Sequence, residues 1–180
     1  MIVEERVILV DEQDNMIGTE EKIKTHRLGL LHRAFSIFVY RRMGDTVEFL
    51  LQQRHQKKYH CGGLWTNACC SHPRLGETIL DAATRRLKEE MSLEMPLTHI
   101  GQFLYRARFD NGLTEHELDH VFIGEYDRNY SIVMDEREVE GFRWISEEQL
   151  EQELAFRSEQ FTPWFLPAFN LVREVLCIKC

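Results

Sequence analysis

The chain has 180 residues, a net charge of -8, 43% hydrophobic and 29% charged side chains, the make-up of one globular domain covering 1–180 rather than a disordered or fibrous chain. Its acidic balance, with the basic residues dispersed, excludes a broad surface for nucleic acid or anionic membranes and leaves room for a pocket holding one small anion. Five cysteines, two of them adjacent (Cys69, Cys70) and two near the end (Cys177, Cys180), are poor material for a disulfide framework and suit a reducing cytoplasm.

Met1 to Arg6 is acidic where an export signal would be basic and then apolar. Glu5–Val10 reads as a short strand, Asp11–Gly18 as turn-rich, and the following polar stretch carries His26 and His32. Ala34–Tyr40 and Val47–Arg54 are rich in β-branched and aromatic residues around Met43–Asp45, which predicts a hairpin. Ala34–Tyr40 is also the longest nearly apolar run, a strand's length and far short of the roughly 20 residues a membrane span needs. His55–Leu64 is polar, ends in Gly62 and Gly63, and reads as a mobile loop carrying Lys57 and Lys58. Ile79, Ala82, Ala83, Leu87 and Met91 recur at helical steps across Thr78–Met91. Strands are expected at Ile100–Phe109 and His116–Tyr126, joined by Asp110, Asn111 and Gly112, and at Val139–Ile145. Ser146 and Gln149 form a capping box that starts a helix, and a last helix runs from Pro163 towards Cys177.

Glu115 and Glu117, two apart in a strand, share a face about 7 Å apart, suited to gripping one cation. His26, His32 and His72 add three imidazoles, a set that serves Zn²⁺, Mn²⁺ or Mg²⁺ alike. Each alone reads as solvated or structural, so the metal reading requires all five to converge. Cys70, two residues before His72, is the candidate reactive thiol: nearby positive charge is expected to lower its pKa into reach of neutral-pH proton exchange. Cys69 is expected to pack in the core.

The helix beyond Pro73 holds the most specific pattern: Ser71, Glu77, then Arg85, Arg86, Leu87, Lys88, Glu89, Glu90, Met91 and Ser92. It resembles the Nudix box, with Ser71 and Ser92 replacing two glycines and Arg86 replacing a glutamate that supports attack by water in the hydrolases. Together with Trp65, Thr66, Asn67, Cys70, His72 and Pro73, the paired histidines and Glu115-His116-Glu117, the chain is similar to the type I isopentenyl-diphosphate isomerases from Lys22 through Trp164.

That resemblance implies an α/β (α+β) fold, a Nudix-like mixed β-sheet core flanked by helices, and a 1,3-allylic proton shift on a small allylic or homoallylic diphosphate. It implies a first metal on His26, His32, His72, Glu115 and Glu117, and a substrate-borne Mg²⁺ on Glu90 and the Cys70 carbonyl. Lys22, Arg54, Lys58 and Arg86 would hold the diphosphate, with Lys57 able to replace Lys58. Cys70 and Glu117 would transfer protons, Tyr105 would assist the glutamate, and the Trp164 indole would stabilise a tertiary carbocation. A monomer is the default expectation. The rival on the same fold is a Nudix diphosphohydrolase, which Arg86 argues against; a non-enzymatic module with a structural metal ranks third.

Overall fold

The computed structural model of the chain describes residues 5–176; the segment before Glu5, together with Cys177 and Cys180, lies outside the described residues. Strands β1 (Arg6–Val10) and β2 (Met16–Glu21) form a hairpin, whose turn is held by Asp11 Oδ1 accepting from the Gln13 and Asn15 N–H groups. A short helix, α1 (Lys22–Leu28), occupies the polar stretch in which composition suggests no element. The Glu21 carboxylate accepts from the N–H groups of Ile23 and Lys24 to start it, and Gly29 ends it in the left-handed conformation, φ 62°.

The hairpin of β3 (His32–Met43) and β4 (Thr46–Arg54) is longer than its apolar runs suggest. Two very short strands follow, β5 (Trp65–Thr66) and β6 (Cys69–Ser71), then helix α2 (Ile79–Met91). Strands β7 (Thr98–Arg108), β8 (Thr114–Glu125) and β9 (Val139–Ser146) overlap the three expected strands, and helices α3 (Glu147–Phe156) and α4 (Phe165–Leu176) the two expected helices. The α3 capping box is realised in full. Ser92 ends α2 at φ 54°, a left-handed position where the Nudix pattern carries glycine.

All nine strands among the described residues join one mixed sheet, and β3 is its hub. It pairs antiparallel with β4 and β6, meets β1 through Leu9 and His32, and runs parallel to β8, which pairs antiparallel with β7. Side chains alternate across a sheet, so Phe35, Ile37 and Val39 pack under Ala82, Ala83, Leu87 and Met91 of α2. Phe38 and Phe49 pack on the other face against Phe165 and Phe169 of α4, with Phe49 and Phe169 edge to face at 5.1 Å. The result is a sheet between helical layers, with α2 and α4 each burying an apolar face against it.

The segment His55–Leu64 is a packed element and not the mobile loop its composition predicts. Its ends are zipped by Arg54 N–H to Leu64 O at 3.0 Å and Gly63 N–H to Arg54 O at 2.9 Å. Asn111 Nδ2 donates to Tyr59 O at 2.8 Å, and His60 is buried. Gly62 permits this closure, since a Cβ there would sit 2.5 Å from the Gln56 carbonyl oxygen.

Candidate active site

The face of β3 that carries Phe38 also carries Ser36, Ala34 and His32. The same face of β8 runs from Val121 through Asp119 and Glu117 to Glu115. It is apolar where α4 covers it and polar beyond the start of α4, where Trp164 arrives. A cleft of about 830 Å³ opens there, lined by Ser36, Cys70, His72, Glu115, Glu117 and Trp164 and by the basic side chains of Lys22, Arg54, Lys58 and Arg86. Lys58 lines the cleft, while Lys57 is exposed to solvent.

Sheet register builds one polar row. His32 lies opposite Glu117 across the parallel pair of β3 with β8, and Tyr105 lies opposite Glu117 across β7 and β8. One donor atom from each of His26, His32, His72, Glu115 and Glu117 lies within 4.8 Å of the others, so the five expected ligands converge. Their chemistry fits a cation. His26 Nδ1 donates to Lys22 O at 2.6 Å and His32 Nδ1 to Leu30 O at 2.9 Å, leaving each Nε2 lone pair aimed inward. His26 Nε2 is 3.1 Å from Glu115 Oε2, yet both atoms are buried without a hydrogen-bond partner. Two such groups turned towards a common point are what a shared metal would satisfy.

Glu117 Oε1 accepts from His72 Nε2 at 2.9 Å, and Tyr105 Oη–H donates to Oε2. Burial and the neighbouring Glu115 push the Glu117 carboxyl up, but the adjacent imidazoles of His32 and His72 outweigh them and hold it below its ordinary value. Asp119, next on that face, is held well above its ordinary value by burial and by Glu117, and accepts from Ser36 Oγ at 2.8 Å. Tyr105 is not on the cleft wall itself; it reaches the site through Glu117.

Cys69 and Cys70 separate by strand alternation: Cys69 packs in the core beneath α2, and Cys70 turns to the cleft opposite Ser36. The expected lowering of the Cys70 pKa is corrected. Burial pushes the thiol up to about 11, outweighing Arg54, whose Nη1 lies 3.8 Å away. Cys70 therefore carries its proton at neutral pH. The Arg54 guanidinium also sits 5.4 Å from the Trp164 ring, a cation–π contact at the cleft floor.

Three of the four basic side chains are paired with carboxylates: Lys22 with Glu5 at 3.1 Å, Lys58 with Glu138, and Arg86 with Glu89, Glu90 and Glu138. Glu90 is buried beneath Arg86, and its Oε2 accepts from Gln52 Nε2 at 2.9 Å, so both its oxygens are engaged. Several cleft residues lie outside the sequence expectation, Ser36, Glu138, Asp119 and His60 among them. Asp119 follows Glu117 by the same two-residue step and was legible from it; His60, whose Nε2 is 2.5 Å from Glu115 Oε1, lies in the polar segment and gives no sequence signal.

A NUDIX domain model matches residues 30–165. The isopentenyl-diphosphate Delta-isomerase of Photobacterium profundum is 50% identical over 92% of this chain and 92% of its own. Proteins of the same name from Burkholderia multivorans and Serratia proteamaculans are 48% and 45% identical over 91% of this chain and about nine-tenths of theirs. A crystal structure of a Deinococcus radiodurans protein matches the fold alone, with a TM-score of 0.74 at 18% identity over 97% of this chain and 100% of that one. The chain belongs to the Nudix family and, within it, to the isopentenyl-diphosphate Delta-isomerases.

Proposed function

We propose that this chain interconverts isopentenyl and dimethylallyl diphosphate, protonating the alkene to a tertiary carbocation and removing a proton from the other side of the cationic centre. The observation that carries this reading is one cleft with a thiol that holds its proton, a carboxylate and an indole at one end and four cations at the other. Cys70 and Glu117 lie on strands that flank β3, which suits two proton-transfer groups serving one carbon skeleton between them. Tyr105 donates to Glu117 and would relay or hold the proton there. Trp164, buried and ringed by Arg54, Tyr105 and His60, excludes water from a cation that has no heteroatom to share its charge.

Lys22, Arg54, Lys58 and Arg86 would take the diphosphate, releasing the carboxylates that now pair with three of them; binding the tail then positions an apolar head with no polar handle. His26, His32, His72, Glu115 and Glu117 would hold a first metal, Zn²⁺, Mn²⁺ or Mg²⁺, and Glu90 with the Cys70 carbonyl would meet a Mg²⁺ on the diphosphate. The metals would supply fixed positive charge that anchors the tail and biases the Glu117 proton. Among the described residues no helix is long and apolar enough to cross a membrane; a monomer in the cytoplasm, with Cys61, Cys69 and Cys70 kept as free thiols, is the setting we favour. The test is incubation with isopentenyl diphosphate in D₂O: solvent deuterium in the dimethylallyl product is expected, whereas phosphate release without deuterated product would overturn the isomerase reading.

A further inference from the structure

We propose that His60 is a positioning residue for the metal centre, orienting Glu115 and clamping the segment His55–Leu64 onto it. The inference rests on the metal reading above. The two oxygens of Glu115 have different company. Oε2 faces His26 Nε2 at 3.1 Å and His32 Nε2 at 3.9 Å, inside the five-residue cluster. Oε1 turns the other way and meets His60 Nε2 at 2.5 Å. His60 therefore stands outside the ligand set, holding one oxygen so that the other points at the cation, the outer-shell arrangement that fixes metal-binding carboxylates.

The His60 ring is held for that task. It is 6% exposed, stacks on Phe109 at 5.2 Å with an interplanar angle of 11°, and meets Trp164 edge to face at 6.1 Å. A flat ring locked between two aromatics has little freedom to swing its Nε2–H elsewhere. Its neighbours bring the consequence to the substrate end: Lys58 lies two residues earlier on the cleft wall, and Tyr59 is tied by its carbonyl to Asn111. A cation held by Glu115 Oε2 would fix the carboxylate whose other oxygen His60 holds, and so restrain the segment that presents Lys58.

Two variants and one wild-type measurement test this. His60→Phe keeps a flat ring on Phe109 and removes the donor; His60→Gln restores a donor. Zn²⁺ affinity, read by competition with a chromogenic chelator, is expected to fall 10- to 100-fold in His60→Phe and to recover most of that in His60→Gln, with both apo-proteins melting cooperatively in EDTA. An unchanged affinity in His60→Phe, or a His60→Gln variant as weak as His60→Phe, overturns the positioning role. Wild-type amide exchange across His55–Leu64 is expected to slow on adding Zn²⁺, and unchanged exchange despite bound metal overturns the clamp even if a variant fails to fold. A wild type that binds neither Zn²⁺ nor Mn²⁺ overturns the metal reading as well, and so is told apart from a failure of His60 alone.

Discussion

Arg86→Met removes the cation from the most deeply buried ion pair of α2. Glu90 is 3% exposed, and without Arg86 its carboxylate keeps only the Gln52 amide as a close donor. Stranding one member of a buried pair costs about 3–5 kcal/mol. The lower end applies, about 3 kcal/mol, because the Arg86 side chain is itself 18% exposed and the Met stem preserves its packing. For a chain of this size that is a fall in Tm of roughly 6–12 °C. Urea unfolding in EDTA, without Mg²⁺, isolates the effect. The double variant Arg86→Met/Glu90→Gln should recover to within about 1 kcal/mol of wild type, since an amide needs no counter-charge there. A single-variant cost below about 1 kcal/mol, or a double variant no better than the single, would show that Glu90 is not held as a charge by Arg86.

Cys70→Ala should lower isomerisation on the order of 10²–10⁴-fold while leaving metal content and melting near wild type, because the side chain faces the cleft and not the core; turnover within ten-fold of wild type, measured by product formation, removes Cys70 from proton transfer. His120 sets a pH limb. Burial holds it below its ordinary value of 6.5, with Asp14 opposing and His99 and Arg33 adding to the depression. The unfolded chain takes up that proton first, so this contribution to stability is complete above pH 6.5 and is lost as pH falls towards the folded value. His120→Gln should make stability fall less between pH 7.5 and pH 5 in urea titrations; an identical fall in both proteins would refute the assignment.

The sheet and its long helices were legible because their signals are long. The strand-rich runs of β7 and β8 around the turn at Asp110–Gly112, the helical period of α2 and the Ser146 box each extend over several residues, and the structure follows them. Helix α1 was not, since seven residues capped by Glu21 carry neither a full amphipathic repeat nor a preferred capping residue. Strands β5 and β6, of two and three residues, are too short for alternation to register. The five metal-type side chains could be named from spacing and resemblance, but their convergence depends on which strands are neighbours. His60 lies furthest from any sequence signal. What holds it is Phe109 and Glu115, both long-range partners, while its own neighbours suggest only solvent and flexibility. The Cys70 thiol shows the same limit: a nearby arginine can be anticipated, but the burial that outweighs it comes from the assembled cleft.

The row His32, Glu117 and Tyr105 spans three adjacent strands, and no one of these residues is close to another in sequence. A slip of β8 by one residue against β3 would turn Glu115 and Glu117 through the sheet and bring His116 and Leu118 to the cleft. The chain would still be compact and would still bury hydrophobic surface, but it would have three buried acids on the wrong side and no cation site. On the proposed metal reading, capture by this centre would be a checksum on strand alignment: a refolding chain that takes up stoichiometric metal would have its central strands in register, and one that is merely collapsed would not.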